Sequence, residues 1–139
     1  HSKSSAASDV YKRQHNNHSS VNIIKGENMG YFYLIIAIIG EVVGTLSLKS
    51  SNGFTAITPS ILVIVGYGVA FYFMILSMKT IPVAITYSIW SGVGIAAVTF
   101  IASMKFNEKP DIFAFIGLSF IIIGIIILVS LSKMGTKIS

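Results

Sequence analysis

Four apolar runs, at roughly residues 30–48, 58–78, 83–104 and 111–131, organise the chain after a polar stretch of 28 residues. Each is about 19–22 residues long. At about 1.5 Å of rise per residue, a helix of that length matches a hydrocarbon core about 30 Å thick. Polar punctuation separates the runs: Lys49-Ser-Ser-Asn-Gly53, Lys79-Thr80, Lys105-Phe-Asn-Glu-Lys-Pro-Asp111 and Ser132-Lys133. Pro59, Pro82 and Pro110 fall at or just before a helix start, where the missing N–H does no harm. The pattern predicts an all-α membrane protein of four transmembrane helices joined by short loops.

Composition agrees with the pattern. Hydrophobic residues make up 53% of the chain and charged residues only 11%, against about 25% charged in soluble domains. There is no cysteine, which removes disulfides and thiolate metal sites. Residues 1–28 differ from everything after them. His1 to Gln14 is rich in Ser, Ala and Lys without apolar periodicity, His15-Asn-Asn-His18 continues in the same way, and Met29-Gly30 then opens directly into hydrophobic sequence. The reading is a non-native or disordered leader over 1–28 and a transporter region over 29–139. The competing reading of the leader is a native arm or a His-rich metal tract.

Charge placement bears on topology. Short loops put both ends of the four-helix region on one side, with Lys79, Lys133 and Lys137; Lys49, Lys105 and Lys109 lie on the other. Orientation normally follows an excess of Lys and Arg on the cytoplasmic side, and here the two sides balance. The balance predicts insertion in both senses, although so few lysines can also balance by chance. About 110 residues in four spans can hardly enclose a gated route. Transport would therefore need two copies, and opposed copies would reproduce the inverted-repeat geometry of larger transporters.

Within this apolar sequence one residue stands out. Glu41 is the only ionisable side chain deep inside a span. A carboxylate there is costly unless it is protonated, paired or facing a water-filled cavity, which marks a functional site. Leu34, Ala37, Ile38, Gly44 and Thr45 share its helix face by three- and four-residue spacing. The small ones among them would leave open volume beside the carboxylate. Gly40 and Gly44 also form a small-xxx-small pair that serves helix packing. On the third run Tyr87, Trp90, Ser91 and Gly94 fall on one face, and Gly92 and Gly94 bracket a point where the helix could bend. Trp90, the sole tryptophan, sits mid-span rather than in the interfacial belt. Aromatic rings beside an acid suit a cation, although plain aromatic packing explains Trp90 alone equally well. Tyr67 on the second run carries a mid-membrane hydroxyl that needs a partner. The fourth run is almost wholly aliphatic, with Gly117 and Gly124 on one side. No phosphate loop, metal cluster or nucleophile–base pair accompanies these residues. The reading is therefore neither an enzyme nor a nucleic-acid binder, and it needs no cofactor.

Glu41-Val-Val-Gly-Thr45, Lys49-Ser-Ser-Asn-Gly-Phe54, Pro59-Ser60 and Tyr87-Ser-Ile-Trp-Ser-Gly-Val-Gly94 together resemble the small multidrug resistance family. The resemblance covers essentially Met29 to Ser132. It implies an antiparallel, dual-topology homodimer in the bacterial cell membrane that exchanges protons for hydrophobic or quaternary ammonium cations. By the same resemblance Glu41 is the shared proton and substrate site, and Tyr87, Trp90 and Tyr67 form an aromatic wall. Leu34, Ala37, Ile38, Gly44, Thr45 and Ser91 complete the binding face, Gly92 and Gly94 are a kink, and Gly117 and Gly124 a dimer contact. Gly44-Thr45 is similar to the drug-exporting branch, whereas Gly40 departs from its more usual alanine. Two alternatives stand beside this reading. One is export of guanidinium or another small metabolite cation, and the other is a non-transporting structural or lipid-handling subunit.

Overall fold

The computed structural model describes residues 2–133. Four helices follow one another: α1 (Ser2–Ser50), α2 (Ile57–Ser77), α3 (Val83–Lys105) and α4 (Ile112–Leu131). All four are long and apolar enough to cross a membrane. The three later helices begin and end within one residue of the runs seen in the sequence. Lys137, used in the charge count, lies outside the described residues.

The helix boundaries have local causes. Pro59 occupies the first turn of α2 and Pro82 is the N-cap of α3. The Asp111 side chain caps α4 by accepting a hydrogen bond from Ala114 N at 2.9 Å. Between α1 and α2 the chain reverses through Asn52, Gly53 and Phe54, with φ of 48°, 67° and 65°. The buried Ser51 braces this turn, its hydroxyl donating to Leu48 O at 2.7 Å and accepting from Phe54 N at 3.3 Å.

The N-terminal stretch differs from the expectation of a disordered leader, because it continues α1 as helix through residue 28. It contains no proline, and Ser19 and Ser20 donate to the carbonyls four residues back. Almost all of it is exposed. At about 1.5 Å per residue, the 49-residue α1 is about 74 Å long, so its first half projects beyond any bilayer core.

The bundle is held chiefly by α1 against α2, at a crossing made of glycine. A Cβ added to Gly40 would lie 2.7 Å from Gly66 O, and one added to Gly66 would lie 2.8 Å from both Gly40 O and Gly44 N. Only hydrogen fits at those positions, and the close approach lets backbones touch where lipid gives no hydrophobic drive for association. The packing use of Gly40 and Gly44 is therefore realised inside the protomer. At one end Gly30 lies against Thr80 and Ile81. At the other Lys49 forms an ion pair with Glu108. Adjacent spans thus run antiparallel. α3 packs on α1 and α4 on α3, but α4 buries none of its residues. Its exposed Phe113, Phe120 and Ile126 are what a lipid-facing helix presents.

Candidate functional site

The site gathers where α1, α2 and α3 meet around Glu41. The carboxylate is half-buried, and its Oε2 is fully enclosed without a hydrogen-bond partner among the described residues. Gly94 of α3 makes room for it, since a Cβ at that position would collide with Oε2. Glycine at 94 is therefore a seat for the acid as well as a possible point of bending. α3 runs unbroken from Val83 to Lys105, and Gly92, two residues earlier, is covered by Ile125 of α4.

The face around Glu41 is more filled than the small side chains suggested. Leu34 and Ala37 are 1% and 0% exposed, sealed within the protomer. The ring of Tyr67 covers Gly44, about 3.0 Å from where a Cβ would stand. Ile38, Thr45 and Ser91 remain half-buried. The volume expected beside the carboxylate is thus taken up by Tyr67, because the glycine crossing draws α2 onto α1.

Aromatic rings link the helices. Tyr87 and Trp90 have centroids 5.7 Å apart, Trp90 and Phe71 6.4 Å, and Phe71 stacks on Tyr67 at 6.1 Å. The Tyr67 hydroxyl and Thr45 Oγ1 share a hydrogen bond of 2.6 Å. This satisfies the mid-membrane hydroxyl and closes the chain of rings one turn from Glu41 on α1. The Trp90 indole N–H is buried with no partner among the described residues, and so is the Thr86 hydroxyl one turn earlier on the same face. Tyr87 is 57% exposed, at the open end of the series. Gly117 and Gly124 stand apart, with nothing among the described residues within 4 Å of an added Cβ.

The sequence points to Glu41, Tyr67, Tyr87 and Trp90, and to Phe71 only as one of several apolar or aromatic residues on α2. Phe71 bridges Trp90 and Tyr67, and two features were overlooked: Thr86 adds a buried hydroxyl, and the Lys49–Glu108 pair ties α1 to the α3–α4 connection. The i, i+4 spacings of Tyr67 with Phe71 and of Thr86 with Trp90 were the available signals.

The Small Multidrug Resistance protein family matches residues 29–132. The chain belongs to that family. The quaternary ammonium compound-resistance protein QacE of Escherichia coli is 48% identical over 104 residues, which is 75% of this chain and 94% of that protein. QacC of Staphylococcus aureus, which carries the same descriptive name, is 40% identical over 109 residues, or 78% and 99%. A multidrug transporter of Pseudomonas aeruginosa is 42% identical over 103 residues, 74% and 94%. Family membership and the four apolar helices make the chain a multi-pass membrane transporter of the bacterial cell membrane.

Proposed function

We propose that the protein exports hydrophobic and quaternary ammonium cations in exchange for protons, as an antiparallel homodimer in which Glu41 of both copies binds either proton or cation. The observation that carries this reading is the enclosed, unpartnered Glu41 Oε2 seated on Gly94. A carboxyl oxygen without a partner in hydrocarbon is a standing acceptor for a cation or a proton. The series Tyr87, Trp90, Phe71 and Tyr67 supplies π faces, and cation–π attraction is worth about 2 kcal/mol or more per contact when desolvated. The quaternary ammonium resistance named for QacE and QacC favours the same substrate class.

The mechanism follows from competition. Protonated Glu41 is neutral and releases a cation, whereas ionised Glu41 attracts one. Cation loaded on the inner side therefore displaces protons, and protons arriving from outside displace cation. Exclusion at the carboxylates couples the two fluxes. An apolar, aromatic surround favours greasy cations, which lose little hydration on entry. Exposed Gly117 and Gly124 on α4 offer the face for a second copy, and bending at Gly92–Gly94 would exchange inward and outward access.

Efflux from proteoliposomes under a proton gradient tests the reading. Tetraphenylphosphonium should leave and guanidinium should not, and Glu41→Gln should abolish the flux. Guanidinium as the better substrate would favour small-cation export. Unaltered flux through Glu41→Gln would overturn the carboxylate's role.

A further inference from the structure

A crevice between α3 and α4 has no part in the site around Glu41. Its upper portion, about 530 Å³, is lined by Thr99, Ser103, Lys109, Pro110, Phe115 and Leu118 among others. A second cavity of about 410 Å³ continues from it, almost wholly apolar and bounded by residues such as Val93, Ile122 and Ile126. Ala96 lines both, so the two form one groove. The groove exists because α4 leans on α3 without burying any residue of its own.

We propose that this groove binds one anionic phospholipid, with its phosphate at Lys109 and one acyl chain along α3. Three observations support that occupant. First, polarity is graded along the groove: an ammonium and two hydroxyls at the mouth, then aromatic and aliphatic side chains. Second, the depth fits, since Ser103 to Val93 is about 15 Å of helix, half of a core about 30 Å thick. Third, the Lys109 charge is free for a headgroup. Lys109 is exposed and makes no ion pair among the described residues. The anions beside it are engaged elsewhere, Glu108 with Lys49 and Asp111 with the backbone of Ala114. The other nearby cation, Lys105, lies over the Phe106 ring at 5.4 Å.

A second copy of the chain is the competing occupant, and the geometry of α4 disfavours it. At roughly 100° per residue, Gly117 and Gly124 lie about 140–180° around α4 from Phe115, Ile122 and Ile126, and about 100–120° from Leu118. A partner seated on the glycine face leaves the groove facing lipid. The lipid would lie along α3 beside Gly92 and Val93, at the proposed bend, yet the binding claim does not depend on transport.

Native mass spectrometry of the full chain in detergent tests this, with equimolar palmitoyl-oleoyl phosphatidylglycerol and phosphatidylcholine as probes. The wild type should retain one phosphatidylglycerol per chain in preference. Lys109→Gln should lower that preference about fivefold, the equivalent of the ~1 kcal/mol that one basic residue contributes beside anionic headgroups. Lys79→Gln, a cation at the other end of the bundle, should leave it unchanged. Ala96→Phe should reduce retention of both lipids; Leu118→Trp obstructs the same groove should the first variant misfold. An unchanged preference in Lys109→Gln, or an equal loss in Lys79→Gln, overturns the site. So does a groove-filling variant that alters the dimer population while lipid retention stays the same.

Discussion

Tyr67 of α2 and Thr45 of α1 share a hydrogen bond of 2.6 Å one helical turn from Glu41. The bond joins the packing of the bundle to its chemistry, because the same tyrosine ring covers Gly44 and stacks on Phe71. Hydrogen bonds between membrane helices average about 0.6 kcal/mol and reach about 1.7. Tyr67→Phe and Thr45→Val should each destabilise the protein in detergent by an amount in that range. The double variant should cost little more than either single change. Unfolding by a denaturing detergent across the four proteins measures the coupling, and strictly additive losses would mean that the bond contributes nothing.

Glycines 66, 68 and 94 should respond differently to alanine. At Gly66 the methyl group would meet the backbone of Gly40 and Gly44, which cannot step aside, so Gly66→Ala should cost about 1–3 kcal/mol as overpacking. At Gly68 nothing from another part of the described chain lies within 4 Å of an added Cβ, and alanine should be neutral or favourable by up to about 1 kcal/mol of helix propensity. Thermal unfolding in detergent ranks the pair, and equal effects would contradict the close crossing.

Gly94→Ala separates fold from function. The atoms it meets are the end of the flexible Glu41 side chain, so the bundle can accommodate the methyl group while the carboxylate must move. Stability should change by less than in Gly66→Ala, and tetraphenylphosphonium affinity should fall markedly. Isothermal titration beside an unfolding curve would show both. Unchanged affinity would mean that the position of the carboxylate against α3 is irrelevant to binding.

Trp90 joins two ring pairs, to Tyr87 and to Phe71. Loss of a desolvated cation–π contact of about 2 kcal/mol corresponds to about a thirtyfold fall in affinity, which Trp90→Leu should show. Trp90→Phe should recover part of it. A loss restricted to stability, with affinity retained, would assign Trp90 to packing alone.

Much of this architecture is legible along the chain because a bilayer imposes simple rules on length and polarity. Span limits follow from Lys79, Lys105, Pro82 and Asp111, and Glu41 declares itself as the lone charge at depth. Trp90 and Tyr87 follow from three-residue spacing on one helix. Relations between helices are another matter. That Gly94 seats Glu41, that Gly66 meets Gly40 and Gly44, and that Tyr67 reaches Thr45 depend on interhelical register, which periodicity within one helix does not encode. The volume expected beside Glu41 failed for the same reason, since Tyr67 arrives from α2. The helix over residues 2–28 was equally hidden, because it has no apolar face to reveal a period.

In the proposed exchange, protons and cations share one carboxylate. The most direct measurement of that sharing is proton release, in weakly buffered detergent solution, when tetraphenylphosphonium is added to the purified protein. Wild type should release protons, and its cation affinity should fall as pH is lowered because more Glu41 is protonated. Glu41→Gln should release none and bind poorly at every pH. Binding without proton release in the wild type, or undiminished release from Glu41→Gln, would contradict it.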